Sequence, residues 1–138
     1  MHIEDSHLCS FNAVLGNLPP LPQHLIAKRW ICVLDGQRLT QAVQTRYRPP
    51  GRLTICQYIL HHKNLFINTI FLEENDIPYR IFDQRPGDVV YLRPGVFHSV
   101  INLTPNIAEA INFGDSRGNE FIHLTTTCQC QENRYATF

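Results

Sequence analysis

The chain has 138 residues, 43% of them hydrophobic, and its twelve acidic side chains balance its twelve basic ones. This length fits one ordinary domain, and the apolar content is enough for a core, which excludes intrinsic disorder as the main state. Zero net charge argues against sequence-independent binding of polyanions. The lack of a long apolar run and of a basic, apolar amino terminus argues against a membrane-spanning or secreted protein.

The predicted elements run from a stiff loop through two helices to a series of short strands. Residues 18–22 contain three prolines, which neither a helix nor a central strand tolerates, so this segment is predicted to be a loop or an extended segment. Apolar spacing predicts helices over 36–45 and 68–75. Pro-Gly turns then separate β-prone runs at 89–92, 97–102 and 107–113. Short strands at this spacing predict a barrel or a sandwich.

Cysteine and histidine residues form one candidate metal site. Five cysteines are an odd number in a chain with no signal peptide in view, which favours thiols over a disulfide framework. Cys128 and Cys130 can supply half of a tetrahedral zinc site, and Cys56 with His61 or His62 can supply the other half. The alternative is a loose carboxy-terminal tail, with Cys56 acting as a small buried hydrophobe.

A second candidate metal site contains no cysteine. His2 and Glu4 lie two residues apart, which on a strand directs both side chains to the same face. With His98 they would form the two-histidine, one-carboxylate triad of non-haem Fe(II) oxygenases, which leaves coordination positions open. The alternative is a pair of solvated side chains near a frayed amino terminus.

A set of motifs carries a resemblance to a known family, and it is densest over residues 75–114. The motifs are H-I-E at 2–4, S-F-N at 10–12, K-R-W at 28–30, I-P-Y at 77–79, Q-R-P-G-D at 84–88, F-H at 97–98 and N-I-A-E-A-I-N-F at 106–113. Together they resemble the jumonji-C (JmjC) family of Fe(II)- and 2-oxoglutarate-dependent oxygenases. The closest likeness is to histone lysine demethylases that carry an extra Cys3His zinc site.

The resemblance implies an all-β fold with short helices, a double-stranded β-helix (a jelly-roll or cupin-like barrel) that is incomplete on its amino-terminal side. Residues 1–127 would form the carboxy-terminal portion of a JmjC catalytic domain, and residues 128–138 a zinc-binding tail. A barrel of this kind predicts an open sheet edge and an exposed apolar face, which favour aggregation.

The resemblance also implies a role for particular residues. The iron ligands would be His2, Glu4 and His98. The 2-oxoglutarate site would be Lys28, which binds the distal carboxylate, Asn12, which hydrogen-bonds the same co-substrate, and Trp30, which packs beneath it. The alternative for Lys28 and Arg29 is an ordinary solvated pair of cations.

The remaining implied residues concern zinc and the substrate. The zinc ligands would be Cys56, His62, Cys128 and Cys130, with His62 preferred over His61 because residues 63–98 then align without a gap. Lys63 would lie near the active site, and Ala110 and Asn112 would line the methyl-lysine pocket.

The implied function is oxidative demethylation of methylated lysine in histone tails, in the nucleus, with Fe(II), 2-oxoglutarate and Zn(II) bound. The chain would contact chromatin through the histone. No membrane partner and no sequence-specific nucleic-acid partner are expected. Residues 28–63 hold seven basic groups and one acid, which favours an acidic surface or is simply a solvated face. The alternatives are a JmjC protein hydroxylase and a catalytically degenerate zinc-binding interaction module.

Overall fold

The computed structural model describes residues 1, 8–47, 60 and 67–114. The elements of these residues are β1 (Cys9–Asn17), β2 (Lys28–Val33), α1 (Gly36–Arg46), α2 (Thr69–Glu74), β3 (Tyr79–Gln84), β4 (Val89–Leu92), β5 (His98–Asn102) and β6 (Asn106–Phe113). Both predicted helices, the proline-rich loop and the three predicted strands are confirmed, with boundaries that differ by one or two residues.

The strands form two three-stranded antiparallel sheets, with strand orders β4-β1-β6 and β3-β2-β5. The sheets face each other, because Trp30 and Cys32 of β2 pack in one buried cluster with Leu92 of β4. Two facing antiparallel sheets, with the chain crossing from one to the other after β1, β3, β4 and β5, form a jelly-roll, or double-stranded β-helix. The predicted fold class is therefore confirmed.

The main hydrophobic core lies outside this sandwich, between the β3-β2-β5 sheet and the two helices. Leu39 and Val43 of α1 and Leu72 of α2 are fully buried against Ile31 and Val33 of β2. Because side chains alternate along a strand, Ile31 and Val33 cover one face of β2 while Lys28, Trp30 and Cys32 occupy the other. The helices thus cover one face of the β3-β2-β5 sheet, and the other face of this sheet lines the interior of the sandwich.

Each helix begins at a side chain that caps its amino terminus. Asp35 accepts a hydrogen bond from the backbone N–H of Arg38 at 2.9 Å, and Asn68 accepts one from that of Phe71 at 3.0 Å. Such caps satisfy backbone donors that have no partner within the helix. Neither helix of the described residues is long and apolar enough to cross a membrane.

The turn between β3 and β4 confirms the prediction made from the Q-R-P-G-D motif. Asp88 accepts a hydrogen bond from the backbone N–H of Arg85 at 2.8 Å, and Gly87 has a φ of 90°. A positive φ of this size is easily adopted only by glycine. The backbone N–H of Gly87 donates to the carbonyl of Val14 at 2.8 Å, which attaches this turn to β1.

Hydrogen bonds of two amide side chains, Asn17 and Gln23, stabilise the long connection between β1 and β2. Gln23 accepts from the backbone N–H of Asn17 at 2.8 Å and donates to the carbonyl of Asn17 at 2.9 Å. The side chain of Asn17 accepts in turn from Thr104 at 2.7 Å. These hydrogen bonds hold the loop against the end of β1. They therefore help to set where Lys28 lies relative to Asn12.

The outer face of the β4-β1-β6 sheet is apolar and exposed. Phe11, Tyr91 and Ile111 lie side by side across the three strands, and Phe11 also stacks on Phe113 with ring centroids 4.9 Å apart. Val89 and Ile111 are each 61% exposed. This surface confirms the exposed apolar face that was predicted from the sequence.

Replacing Val89 and Ile111 together with threonine is expected to raise the concentration at which the protein stays monodisperse. Threonine keeps the β-branched shape that strands favour, while the apolar area that drives non-specific association falls. Light scattering against concentration measures the effect. Ile31→Thr, the same change in the core, is the matched control and should lower the melting temperature instead. Identical scattering of the double variant and the wild type would contradict the expectation.

Candidate active site

Six of the predicted site residues lie in the described part of the chain. They are Asn12, Lys28, Trp30, His98, Ala110 and Asn112. The other predicted residues lie outside it: His2, Glu4, Cys56, His62, Lys63, Cys128 and Cys130. Their roles therefore stay predictions.

The strand register brings the six described residues to the facing sides of the two sheets. Asn12 of β1 pairs with Ala110 of β6, and two positions earlier Ser10 pairs with Asn112. Residues paired directly across an antiparallel ladder share a face, as do residues two apart on one strand. Ala110 and Asn112 therefore lie on the same face as Asn12, at the exposed edge of the sheet formed by β6.

Lys28 and Asn12, two of the three predicted 2-oxoglutarate residues, meet across the sandwich. The Lys28 ammonium donates a hydrogen bond to Oδ1 of Asn12 at 3.2 Å. Burial lowers the pKa of Lys28 below its usual value. Within the described ranges the ion pairs are Arg29–Asp83 and Arg38–Asp76, and neither includes Lys28. A half-buried ammonium beside an amide, without a carboxylate from these residues, suits a carboxylate ligand.

The neighbouring cation, Arg29, is already paired. Its guanidinium donates from Nε and an Nη to the two carboxylate oxygens of Asp83 at 2.8 and 3.0 Å, across the β2–β3 ladder. The hydrogen bond to Asp83 raises the pKa of Arg29, and the same bond lowers the pKa of Asp83. Arg29 thus behaves as a solvated surface group. Lys28, on the opposite face, does not fit the alternative of a solvated pair.

His98, a predicted iron ligand, is buried and contacts a backbone carbonyl through one ring nitrogen. It is 2% exposed, and its Nδ1 lies 3.0 Å from the carbonyl oxygen of Val96. Because a carbonyl only accepts, this contact requires a proton on Nδ1. Metal-bound histidines commonly use their second nitrogen in this way. Within the described ranges no three His, Cys, Asp or Glu side chains form a metal-binding group.

Trp30 packs between the predicted iron ligand and the edge of its sheet. It is 3% exposed, stacks on Phe82 with ring centroids 6.0 Å apart, and lies 5.8 Å from the His98 ring. Trp30 thus places a large buried indole beside His98. Its place beneath the co-substrate stays a prediction.

Sequence reasoning missed the role of Gln84, although this residue opens the Q-R-P-G-D motif. Gln84 is the last residue of β3, is 1% exposed, and accepts a hydrogen bond from the indole N–H of Trp30 at 2.8 Å. Its amide nitrogen donates to the backbone carbonyls of Asn12 at 2.8 Å and Asp88 at 3.1 Å. The sequence signals were its place in that motif and directly before a Pro-Gly turn.

Cys9 and Cys32, for which the sequence suggested no chemistry, are buried and free. Burial raises the pKa of Cys32 to about 11, so its thiol is neutral at physiological pH. Neutral buried thiols behave as small hydrophobic groups and are poor nucleophiles. Cys32 therefore contributes packing, whereas Sγ of Cys9 lies 3.4 Å from the hydroxyl oxygen of Tyr91.

Comparison with known proteins places this geometry in a family. The model of the "JmjC domain, hydroxylase" family matches residues 1–113, and the chain belongs to that family. Rat "Lysine-specific demethylase 4D" is 32% identical over 135 residues, which cover 96% of this chain and 24% of that protein. Human "Probable lysine-specific demethylase 4F" is 31% identical over 135 residues, which cover 96% and 20%. The chain thus spans about a quarter or a fifth of these relatives. The resemblance found in the sequence is confirmed.

Proposed function

We propose that the chain acts as an Fe(II)- and 2-oxoglutarate-dependent oxygenase that demethylates methylated lysine in histone tails. The observation that carries this proposal is the Lys28–Asn12 pair, held at 3.2 Å on the inner face that also holds His98. The names of the two relatives support lysine demethylation. The proposed partner is a methylated histone tail, met on chromatin in the nucleus.

The proposed division of roles assigns iron to His2, Glu4 and His98. Fe(II) and 2-oxoglutarate together supply the oxidation of a C–H bond by O2, with release of succinate and CO2. Lys28 binds the distal carboxylate of 2-oxoglutarate, and Asn12 orients the ligand through its amide. Trp30 keeps water out of the space beneath. Ala110 and Asn112 line the entrance for the methyl-lysine, with Lys63 near the active site.

Coupled turnover tests this function directly. The full chain, supplied with Fe(II), O2 and 2-oxoglutarate, is expected to release formaldehyde from a trimethyl-lysine histone peptide in step with succinate. An N-methyl carbon that gains a hydroxyl becomes a hemiaminal, which loses formaldehyde, so the two products should appear in equal amounts. Absence of both products would contradict an oxygenase and favour the catalytically degenerate interaction module.

A second candidate function is hydroxylation of a protein side chain, which the description of the matching family model favours. A hydroxyl placed on a side-chain carbon is stable, so the peptide would gain one oxygen atom and no formaldehyde would appear. Mass spectrometry of the peptide beside the formaldehyde assay separates the two reactions.

We also propose a structural zinc ion bound by Cys56, His62, Cys128 and Cys130, with residues 1–127 as the catalytic part and 128–138 as the zinc-binding tail. The support is the sequence pattern, since a Cys3His set completes a tetrahedral zinc site. Such a site has no coordination position open to water or substrate. The zinc ion would therefore stabilise the folded chain and take no part in the reaction.

Removal of this zinc is expected to lower the melting temperature by about 10 °C or more, because binding energy at a structural site is folding energy. The protein is melted before and after treatment with a strong chelator, and its zinc content is measured. Cys128→Ala should lose the metal, whereas Cys9→Ala, the matched control, should keep it. Equal melting temperatures with and without zinc would contradict the proposal.

A further inference from the structure

Gln84 makes a complete set of hydrogen bonds in the interior of the sandwich. Its Oε1 accepts from Nε1 of Trp30 at 2.8 Å, and its Nε2 donates to the carbonyl oxygens of Asn12 at 2.8 Å and Asp88 at 3.1 Å. An amide that is 1% exposed must find such partners, because leaving them unmade costs the full desolvation of the group. The structure satisfies every bond that the amide nitrogen can donate.

These bonds connect three separate elements at one point. Trp30 belongs to β2, Asn12 to β1 in the facing sheet, and Asp88 to the turn that leads into β4. Gln84 itself pairs with Lys28 in the β2–β3 ladder. The Gln84 side chain therefore crosses the sandwich beside the place where the Lys28 ammonium meets the Asn12 amide.

Gln84 fixes both sides of the candidate co-substrate site without belonging to the pair that binds the ligand. It holds the backbone of Asn12, whose side chain accepts from Lys28 at 3.2 Å, and it sets the plane of the Trp30 indole, which lies against His98 with ring centroids 5.8 Å apart. Binding groups held at a fixed separation lose less freedom when a ligand binds, which strengthens binding.

We infer that Gln84 is a positioning residue for the carboxylate end of 2-oxoglutarate, acting through Asn12 and Trp30. This inference rests on the proposed function, because it takes 2-oxoglutarate as the ligand of Lys28 and Asn12. Gln84 is the first residue of the Q-R-P-G-D motif, but the motif alone gave it no role in the site.

The isosteric change Gln84→Glu is the sharpest perturbation. It keeps an oxygen opposite Trp30 but replaces the donating nitrogen with a second oxygen, which then faces the carbonyl oxygens of Asn12 and Asp88. Two acceptors facing each other repel, and a proton on the carboxyl can satisfy only one of the two carbonyls. The Asn12 backbone is expected to move away from its present place.

Trp30 supplies the readout, because it is the only tryptophan in the chain. Its emission is followed while 2-oxoglutarate is added to the full chain with Mn(II) in place of Fe(II). For Gln84→Glu we expect the dissociation constant of 2-oxoglutarate to rise about tenfold, which is the size of effect expected from the loss of one hydrogen bond. The affinity for Mn(II) alone should stay at the wild-type value, because His98 is held by Val96.

Gln23→Glu is the matched control. Gln23 also bridges backbone groups with its amide, donating to one and accepting from another, but it does so in the β1–β2 loop. This variant should melt at a lower temperature and bind 2-oxoglutarate as the wild type does. A purely structural role for Gln84 would give the same result at both positions. If Gln84→Glu does not melt cooperatively, Gln84→Met, which buries no unpaired polar atom, replaces it.

The outcomes separate this inference from the proposed function. If the wild type binds 2-oxoglutarate and the folded Gln84 variant binds it equally well, Gln84 is not a positioning residue, while the proposed function stands. If the wild type itself does not bind 2-oxoglutarate, the proposed function is wrong, and the inference about Gln84 is overturned with it. Weaker binding by the Gln84 variant alone supports both.

Discussion

Lys28→Met is expected to weaken 2-oxoglutarate binding by about a hundredfold or more. The distal carboxylate of 2-oxoglutarate would then enter a partly buried site that has lost the Lys28 ammonium. Methionine keeps most of the length and packing of the lysine stem, so the loss reports on charge. Calorimetric titration of the full chain with 2-oxoglutarate, in the presence of Mn(II), measures it. Activity should fall with the occupancy of the co-substrate.

The adjacent residue gives the matched control for this prediction. Arg29→Met removes one cation from the same strand, but from the opposite face, where the guanidinium is paired with Asp83. It should leave 2-oxoglutarate binding unchanged, since exposed ion pairs contribute little to the rest of the fold. Equal losses in the two variants would mean that general charge, rather than the contact between Lys28 and Asn12, attracts the ligand.

The lowered pKa of Lys28 adds a pH dependence to the same contact. Only the ammonium form pairs with a carboxylate, and burial lowers its pKa below the usual value of a lysine. Affinity for 2-oxoglutarate should therefore be full at neutral pH and fall as the pH rises through that lowered pKa. The described groups that face Lys28, namely Asn12, Gln84 and Asn102, are uncharged. Titrations at rising alkaline pH measure the fall, and a constant affinity would contradict it.

Local signals explain why part of the fold was predictable from the sequence. The helices α1 and α2 begin at Asp35 and Asn68, whose side chains cap them, and the β3–β4 turn has the proline and glycine that its backbone requires. These features act within four or five residues, so they are visible in the sequence alone. The predicted and observed boundaries accordingly agree closely.

The first two strands were not predicted from their pattern, for a physical reason. In β1 the polar residues Ser10 and Asn12 face the interior of the sandwich while the apolar residues Phe11 and Leu15 are exposed. This reverses the usual alternation of apolar inside and polar outside. In β2 the last four residues are all buried, so no alternation exists. Both faces of β2 are covered, one by the helices and the other by the facing sheet.

The candidate site residues were found through family motifs, but the role of Gln84, the first residue of the Q-R-P-G-D motif, was missed. Lys28 and Asn12 are separated by 16 residues, and the partners Trp30 and Asn12 are separated from Gln84 by 54 and 72 residues. Contacts of this range depend on the register of several strands at once. No local pattern distinguishes a buried glutamine at the end of a strand from an exposed one beside a turn.

His98→Ala is expected to lower the affinity for Mn(II) or Fe(II) by at least about a hundredfold and to abolish coupled turnover. The site would lose one of three protein ligands, and its remaining pair would bind a hard divalent ion weakly. Electron paramagnetic resonance of free Mn(II) gives the affinity, and the formaldehyde assay gives the turnover. The effect on metal binding should appear without any peptide substrate, which separates it from an effect on substrate binding.

Two further variants decide whether such a loss reflects coordination. His98 is buried beside Trp30, so alanine leaves a cavity and lowers stability as well. His98→Gln fills most of that space and should still lose the metal, because a neutral amide is a poorer ligand than imidazole. His24→Ala, at an exposed histidine of the β1–β2 loop, should bind metal as the wild type does. Full metal affinity in a folded His98→Gln protein would show that the iron triad has been assigned to the wrong histidine.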